Sequence, residues 1–252
     1  MTDQHSSAKR ATLAGDESYA AAITRFSKTK TAHDYPSEYR STFRDRRESA
    51  AIRKVLRGVP PGSHVLDLPC GSGRLVSLLL KAGYRVTGAD SAELMVERAR
   101  ARWQELSAVV KLDRPEPRYF ISDVMQTGFA DGEFDAVICN RLIHHFSESA
   151  TRVAALKELR RISKGPVAVS FFNSFAIDAV RFRLKQAFRK RVLGGRKVRN
   201  DRLPISMTGF LSDMREAGLD VYQTVPVLYG VSPMWYVVAC PRKQNVERTK
   251  AA

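Results

Sequence analysis

Short apolar runs alternate with amphipathic stretches through most of the chain after residue 59. The apolar runs are five to eight residues long, which is too short for most helices and typical of strands. They predict seven strands, over residues 64–68, 85–90, 118–122, 135–140, 166–172, 221–228 and 235–240. In the amphipathic stretches apolar residues recur every three or four positions, which predicts helices over residues 72–82, 91–106 and 149–164.

The order of these elements predicts an α/β fold. Strands that alternate with helices form a parallel sheet with helices on both of its faces. The last two strands are joined only by YGVSP, residues 229–233, so they must be antiparallel. We therefore expect a mostly parallel seven-stranded sheet with one antiparallel strand. In an open sheet of this kind, ligands bind beyond the carboxyl ends of the strands.

The segments around this sheet divide the chain of 252 residues. Residues 1–15 are polar and predict a disordered tail without a signal peptide. Residues 16–58 predict a helical N-terminal extension, and residues 59–243 predict the folded domain. Within that domain residues 174–202 predict a basic helical insertion, and residues 244–252 form a second tail.

The first predicted strand ends in an acid and is followed closely by two glycines, in the stretch HVLDLPCGSGRL. Asp67, Gly71 and Gly73 give the spacing DxxxGxG. A phosphate-binding P-loop needs Lys after its last glycine, where this chain has Arg74. A dinucleotide site needs a third glycine where this chain has Val76, and the serine-hydrolase pattern GxSxG is absent. Three familiar glycine-turn chemistries are therefore excluded.

Four motifs in order resemble those of the class I S-adenosylmethionine-dependent methyltransferases, across about residues 45–240. They are VLDLPCGSGR at the glycine turn, VTGAD ending in Asp90, FISDV containing Asp123, and FDAVICNRLIHHF at residues 134–146. The last motif is similar to the small-molecule branch of the family, including the quinone-biosynthesis type. The resemblance implies a Rossmann-like fold and S-adenosyl-L-methionine as the cofactor.

The resemblance also implies which residues hold this cofactor. Asp67 would lie near its amino-acid part, Asp90 would accept from both ribose hydroxyls, and Asp123 would accept from the exocyclic amine of the adenine. Met95 would pack on the face of the adenine. Each residue could instead serve only a turn, a helix cap or the core. The whole predicted set is Asp67, Pro69, Cys70, Gly71, Ser72, Gly73, Asp90, Ser91, Met95, Asp123, Val124, Asn140 and Arg141.

The implied reaction is in-line transfer of a methyl group from a sulfonium to a nucleophile, in which alignment and exclusion of water are the main tasks of the protein. A hydroxyl or amine nucleophile must also lose a proton, which requires a general base. His144 and His145 follow the fourth strand and are the candidates, although either could cap a helix or pack on the sheet. His33 and Asp34 are weaker alternatives.

Positive charge is concentrated in the predicted insertion. The formal net charge of the chain is +16, and ten Lys or Arg but one acid lie between residues 181 and 202. Apolar residues at helical spacing give this segment an apolar face. Three interpretations stay open: a core-packed helix with a solvated basic face, an interfacial helix on an anionic membrane, and a patch that follows RNA or DNA phosphates.

The predicted acceptor is a small or lipid-like molecule. An RNA methyltransferase is the alternative, although the base-modifying signature NPP[YF] is absent and CNRL stands in its place. A second alternative is a catalytically silent cofactor-binding protein that uses its basic face for assembly. The three cysteines form no CxxC pair, which predicts no metal site and a reducing compartment. No apolar run reaches the roughly 18 residues of a membrane span, so we expect a cytoplasmic protein, peripheral to a membrane if the basic segment binds lipid.

Overall fold

The computed structural model describes residues 17–26, 43–109, 115–175 and 203–242. Seven strands in these ranges form one sheet with the order β3-β2-β1-β4-β5-β7-β6. Their bounds are β1 His64–Asp67, β2 Arg85–Asp90, β3 Arg118–Ile121, β4 Ala136–Cys139, β5 Val167–Phe172, β6 Leu219–Pro226 and β7 Met234–Pro241. Strand β7 runs antiparallel to both of its neighbours, and the other pairs are parallel. The predicted fold class is confirmed.

Helices cover both faces of the sheet. Within the described ranges their bounds are α1 Glu17–Phe26, α2 Phe43–Val55, α3 Val76–Lys81, α4 Glu93–Val109, α5 Ser149–Ile162 and α6 Met207–Glu216, with a 3₁₀ turn at Ile143–His145. One buried cluster unites the sheet with α5 and α6, and a second unites it with α2, α3 and α4. Neighbouring residues of β1, Val65 and Leu66, enter opposite clusters, because a central strand is buried on both faces.

The helices depart from the sequence predictions in three places. The helix predicted from residue 72 begins only at Val76, because residues 71–75 form a turn. The N-terminal extension contains two separate helices, α1 and α2, within its described residues. Helix α6 was not predicted; it begins after Ser206, whose hydroxyl accepts the Gly209 N–H at 3.0 Å.

Several predicted segments lie outside the described residues. These are the tail at residues 1–15, the tail at residues 244–252, and all of the basic insertion except Ser174 and Phe175. The alternative base candidates at positions 33 and 34 lie outside them as well. The predicted domain boundaries and the basic helix therefore stay predictions.

We expect that Gly73→Ala destabilises the protein more than Gly230→Ala. Both glycines have nearly the same positive φ, 73° and 72°, so both substitutions carry the left-handed penalty of about 1–2 kcal/mol. A Cβ at Gly73 would approach the Ala99 backbone of α4 to 3.1 Å, whereas Gly230 faces open space. Overpacking should add about 1–3 kcal/mol at Gly73 alone.

Chemical unfolding of the two variants and the wild type measures this difference. Equal losses of unfolding free energy in the two variants would contradict close packing of the turn against α4.

Candidate cofactor site

Asp67 ends β1 as a fully buried acid. It is 1% exposed, and neither carboxylate oxygen has a hydrogen-bond partner among the described residues. Burial raises the pKa of Asp67 to about 8; Arg74 opposes this rise, and Asp90 and Glu48 add to it. A buried charge without a partner is costly in a folded protein. The site therefore offers an acceptor that a cation or a donor group can satisfy.

The glycine turn lies directly after this acid and is fixed to the end of β2. The Gly71 N–H donates to Asp90 Oδ2 at 2.9 Å, and the Cys70 N–H donates to the Ala89 carbonyl at 2.8 Å. Gly71 has a φ of 53°, in the left-handed region that favours glycine. The turn therefore has its conformation set by β2 as well as by its own sequence.

The residues of the glycine turn differ in burial and in what they contact. Cys70 and Ser72 are buried, and Pro69 is half-buried. The resemblance placed Gly73 in the cofactor-binding set, and in the structure Ala99 of α4 lies 3.1 Å from where a Cβ at Gly73 would be. Packing between the turn and α4 is therefore a sufficient reason for this glycine.

Asp90 ends β2 and joins the turn to the start of α4. Its Oδ1 accepts the Ala92 N–H at 3.0 Å, while Oδ2 accepts from Gly71. Burial raises the pKa of Asp90 to about 6, although its backbone N–H donors, including that of Ser91, act to lower it. Each oxygen of a carboxylate can accept a further bond. Asp90 therefore acts as a local cap and still has acceptor capacity for two hydroxyl groups.

The first turn of α4 supplies the apolar part of the site. Met95 is 1% exposed and packs with Ala92 and Leu94 in a small cluster separate from the two main ones. Ser91, at the same strand end, is exposed. Val124 is instead buried within the main cluster of the opposite face. Met95 is thus the better placed of the two apolar candidates to serve a ligand rather than the core.

Asp123 follows β3 and is held by two donors. Its Oδ1 accepts the Met125 N–H at 2.9 Å, and its Oδ2 accepts the hydroxyl of Tyr19 from α1 at 2.5 Å. Asp123 is only half-buried. Because strands β1, β2 and β3 are parallel neighbours, the three acids that follow or end them lie along one edge of the sheet.

Asn140 and Arg141 directly follow β4, and they form hydrogen bonds to protein neighbours. Tyr236 donates its hydroxyl to Asn140 Oδ1 at 2.9 Å, and the Arg141 N–H donates to Ser170 Oγ at 2.7 Å. Arg141 has a φ of 60°, which is unusual for a residue other than glycine. This strained backbone lies at the strand end where the sequence predicted a cofactor contact.

Glu48 of α2 is the centre of a buried charge cluster that the sequence analysis missed. It is 1% exposed and accepts from Asn140 Nδ2 at 2.9 Å and from Arg141 Nε at 3.2 Å. It also forms close ion pairs with Arg74 and Arg141. Burial raises the pKa of Glu48, but these two guanidinium groups outweigh it and hold the pKa below its usual value. The cluster therefore joins α2 to the glycine turn and to the end of β4.

A signal for Glu48 was present in the sequence. Glu48, Ile52 and Val55 are four and three positions apart, which places the acid on the apolar stripe of α2. An acid on a buried face requires a partner. The partners themselves, Arg74 and Arg141, are remote in sequence and no local pattern identifies them.

The two histidine candidates have different surroundings. The His144 ring is 2% exposed and stacks on Phe172, with centroids 4.0 Å apart and planes within 3°. The main-chain carbonyl of His144 accepts the Leu203 N–H at 2.8 Å. His145 lies beside it, with ring centroids 4.3 Å apart, and is half-exposed. Only the His145 ring is therefore open to solvent to an appreciable degree.

Two further features bear on the kind of site. Within the described ranges, no group of three or more His, Cys, Asp or Glu side chains could hold a metal ion. Among the same residues, no helix is both long and apolar enough to cross a membrane.

Comparison with known proteins identifies the core of the chain. Residues 65–165 match the family model described as methyltransferase domain. The probable tRNA methyltransferase 9B of Homo sapiens is 33% identical over 111 residues, which are 44% of this chain and 21% of that protein. A tRNA (carboxymethyluridine(34)-5-O)-methyltransferase of Mus musculus is 30% identical over 135 residues, which are 53% of this chain and 18% of that protein. The chain thus spans about a fifth of the length of these relatives.

Solved structures show the same fold over most of the chain. Magnesium protoporphyrin IX methyltransferase from Synechocystis PCC 6803, with bound SAH, has a TM-score of 0.67 at 20% identity and covers 90% of this chain and 100% of its own. The Burkholderia thailandensis 1,6-didemethyltoxoflavin-N1-methyltransferase has a TM-score of 0.61 at 20% identity and covers 89% and 90%. The matched residues thus identify a methyltransferase domain within the chain, and the sheet order and these likenesses show the class I methyltransferase fold.

Proposed function

We propose that this protein binds S-adenosylmethionine at the edge formed by β1, β2 and β3 and transfers its methyl group to a small-molecule or lipid-like acceptor. The buried, unpaired carboxylate of Asp67 carries the proposal. The amino-acid part of the cofactor presents an ammonium group, which supplies the missing donor and charge. The bound donor would contribute an activated methyl group on a sulfonium.

The other strand ends supply complementary groups for the rest of the ligand. Each Asp90 oxygen accepts one backbone N–H at 2.9–3.0 Å and can accept a further bond, which suits the paired hydroxyls of a ribose. Met95 offers an apolar surface to an aromatic base, and Asp123 offers acceptors to its exocyclic amine. Asn140 and Arg141 have their side chains engaged with Glu48, so we assign only their backbone to the ligand. The residues present therefore fit the cofactor.

We assign the role of general base to His145, the more exposed of the two histidines. It lies in the 3₁₀ turn after β4, and the stacked His144 and Phe172 rings form a buried surface beside it. An accessible imidazole can take a proton from the hydroxyl or amine of the methyl acceptor, whereas a buried imidazole contributes to side-chain packing. His144 is then a packing residue that holds the turn.

Two observations support different acceptors. Two structural relatives are named as methyltransferases of ring-containing small molecules, which supports an acceptor of that class. Against this, the sequence relatives include tRNA methyltransferases, and a net charge of +16 favours a polyanion. We propose the small-molecule or lipid-like acceptor first and RNA second.

Isotope transfer separates the two acceptor classes. The full chain is incubated with methyl-labelled S-adenosylmethionine and either total RNA or a lipid and metabolite extract. We expect label in the extract, and labelling that is abolished by His145→Ala. Label found only in RNA would refute the small-molecule or lipid-like acceptor and support RNA as the acceptor.

We expect that Asp90→Ala weakens S-adenosylhomocysteine binding at least tenfold, about 1.4 kcal/mol. The variant loses the ribose acceptors and the bond to the Gly71 N–H. Calorimetric titration measures the affinity, with Asp220→Ala as the matched control because that acid is exposed on β6. Failure of the wild type to bind would refute the proposed function, and equal binding by Asp90→Ala would refute the role of Asp90.

The stability of the unliganded protein should fall as pH rises from about 4 to 8. The pKa of Asp67 is about 8 in the folded protein, against an ordinary value of 3.8. The folded state therefore holds this proton more tightly than the unfolded chain, and its stabilising effect is lost as pH rises through the folded pKa. The change should amount to several kcal/mol.

Chemical unfolding at pH 5 and pH 8 tests this dependence. Asp67→Asn keeps the shape of the side chain without its charge, so it should be more stable than the wild type at pH 8 and much less sensitive to pH. The exposed-site variant Asp220→Asn should retain the wild-type slope. An Asp67→Asn variant with that same slope would show that Asp67 is not the group responsible.

A further inference from the structure

Helix α1 places one tyrosine directly on an acid of the proposed cofactor site. Tyr19 is 6% exposed, and its hydroxyl donates to Asp123 Oδ2 at 2.5 Å. The two residues are 104 positions apart in sequence. No sequence pattern in the N-terminal extension links it to this strand end. The contact therefore arises only in the folded protein.

The position of the Tyr19 ring is fixed independently of this hydrogen bond. Its ring meets Phe146 edge-on, with centroids 5.6 Å apart and planes at 71°. One residue earlier, Ser18 Oγ accepts the Ser147 N–H at 2.8 Å. Both anchors lie just after the 3₁₀ turn. The Tyr19 hydroxyl is thus presented to Asp123 by a packed ring on an anchored helix.

Asp123 consequently has a donor on each oxygen. Oδ1 is held by the Met125 N–H at 2.9 Å and Oδ2 by the Tyr19 hydroxyl. A carboxylate held in this way cannot rotate without breaking a bond, and its remaining lone pairs can only accept. A ligand group facing it must therefore be a donor, such as an amine. A carbonyl at the same place would meet an acceptor and lose its hydration without compensation.

We propose that Tyr19 is a positioning residue: its hydroxyl orients the Asp123 carboxylate so that it accepts a hydrogen bond from an exocyclic amine of the base. The site then binds a base with an exocyclic amine more tightly than one with a carbonyl at the same position. The inference rests on the proposed function, because it places the adenine of the cofactor at Asp123. It adds a determinant of base specificity from the N-terminal extension.

Binding of two ligands to the full chain tests the proposal. They are S-adenosylhomocysteine and S-inosylhomocysteine, in which a carbonyl replaces the exocyclic amine of the base. The wild type should bind the adenine compound at least about tenfold more tightly, since the fixed Asp123 carboxylate would face a carbonyl, another acceptor, and lose its hydrogen bond to the amine. Tyr19→Phe keeps the ring and removes the hydroxyl. This substitution should weaken binding of the adenine compound about three- to tenfold and binding of the inosine compound less than twofold.

A matched control separates base selectivity from docking of the helix. Ser18→Ala removes the neighbouring anchor to Ser147 without touching Asp123. It should change the affinity for both ligands by the same factor and so preserve their ratio. A Tyr19→Phe variant that also preserves the wild-type ratio would overturn the proposal.

A second variant tests whether Tyr19 acts through Asp123. Asp123→Asn can present an amide donor to the base. It should therefore reduce the ratio of the adenine-compound affinity to the inosine-compound affinity by at least as much as Tyr19→Phe does. Adding Tyr19→Phe to it should reduce the ratio no further, because the two residues act as one unit. Additive effects would contradict that coupling. A wild type that binds neither ligand would refute the proposed function, whereas tight binding with an unchanged ratio in Tyr19→Phe refutes this inference alone.

Discussion

The carboxylate of Asp67 is held at the end of a central strand without a hydrogen-bond partner among the described residues. A folded protein tolerates such a group only where its surroundings are fixed by stronger interactions. Here Asp67 ends a strand that pairs with a parallel neighbour on each side, and the glycine turn that follows it is fixed to Asp90. The low-dielectric surroundings that make this charge costly also make it a strong partner for a cation. Burial of the Asp67 carboxylate thus both lowers the stability of the unliganded protein and strengthens the proposed interaction with a cationic ligand group.

The N-terminal extension completes the site at two points. Glu48 of α2 holds Arg74 and Arg141, which flank the turn and the end of β4. Tyr19 of α1 holds Asp123 at the end of β3. A buried ion cluster of this kind adds little net stability, but removal of one member leaves the others uncompensated. The extension therefore contacts the candidate cofactor edge in two places.

The sequence predicted the elements whose determinants are local. Strand runs, the DxxxGxG turn and the acids that follow successive strands are each visible within a few residues, and their alternation with helices predicted a mostly parallel sheet. The order of the strands came from the structure alone. Helix α6 escaped prediction because its start carries Gly209, a poor helix former. Glu48 and Tyr19 escaped because their partners come from distant segments. Gly73 was visible, but its packing against Ala99 could not be inferred from spacing alone.

A crystal structure of the protein with S-adenosylhomocysteine tests the central claim most directly. We expect the amine of the ligand to lie within about 3.2 Å of a carboxylate oxygen of Asp67. We also expect the ribose hydroxyls to face Asp90. A ligand bound elsewhere, or one whose amine leaves Asp67 without a partner, would contradict the account.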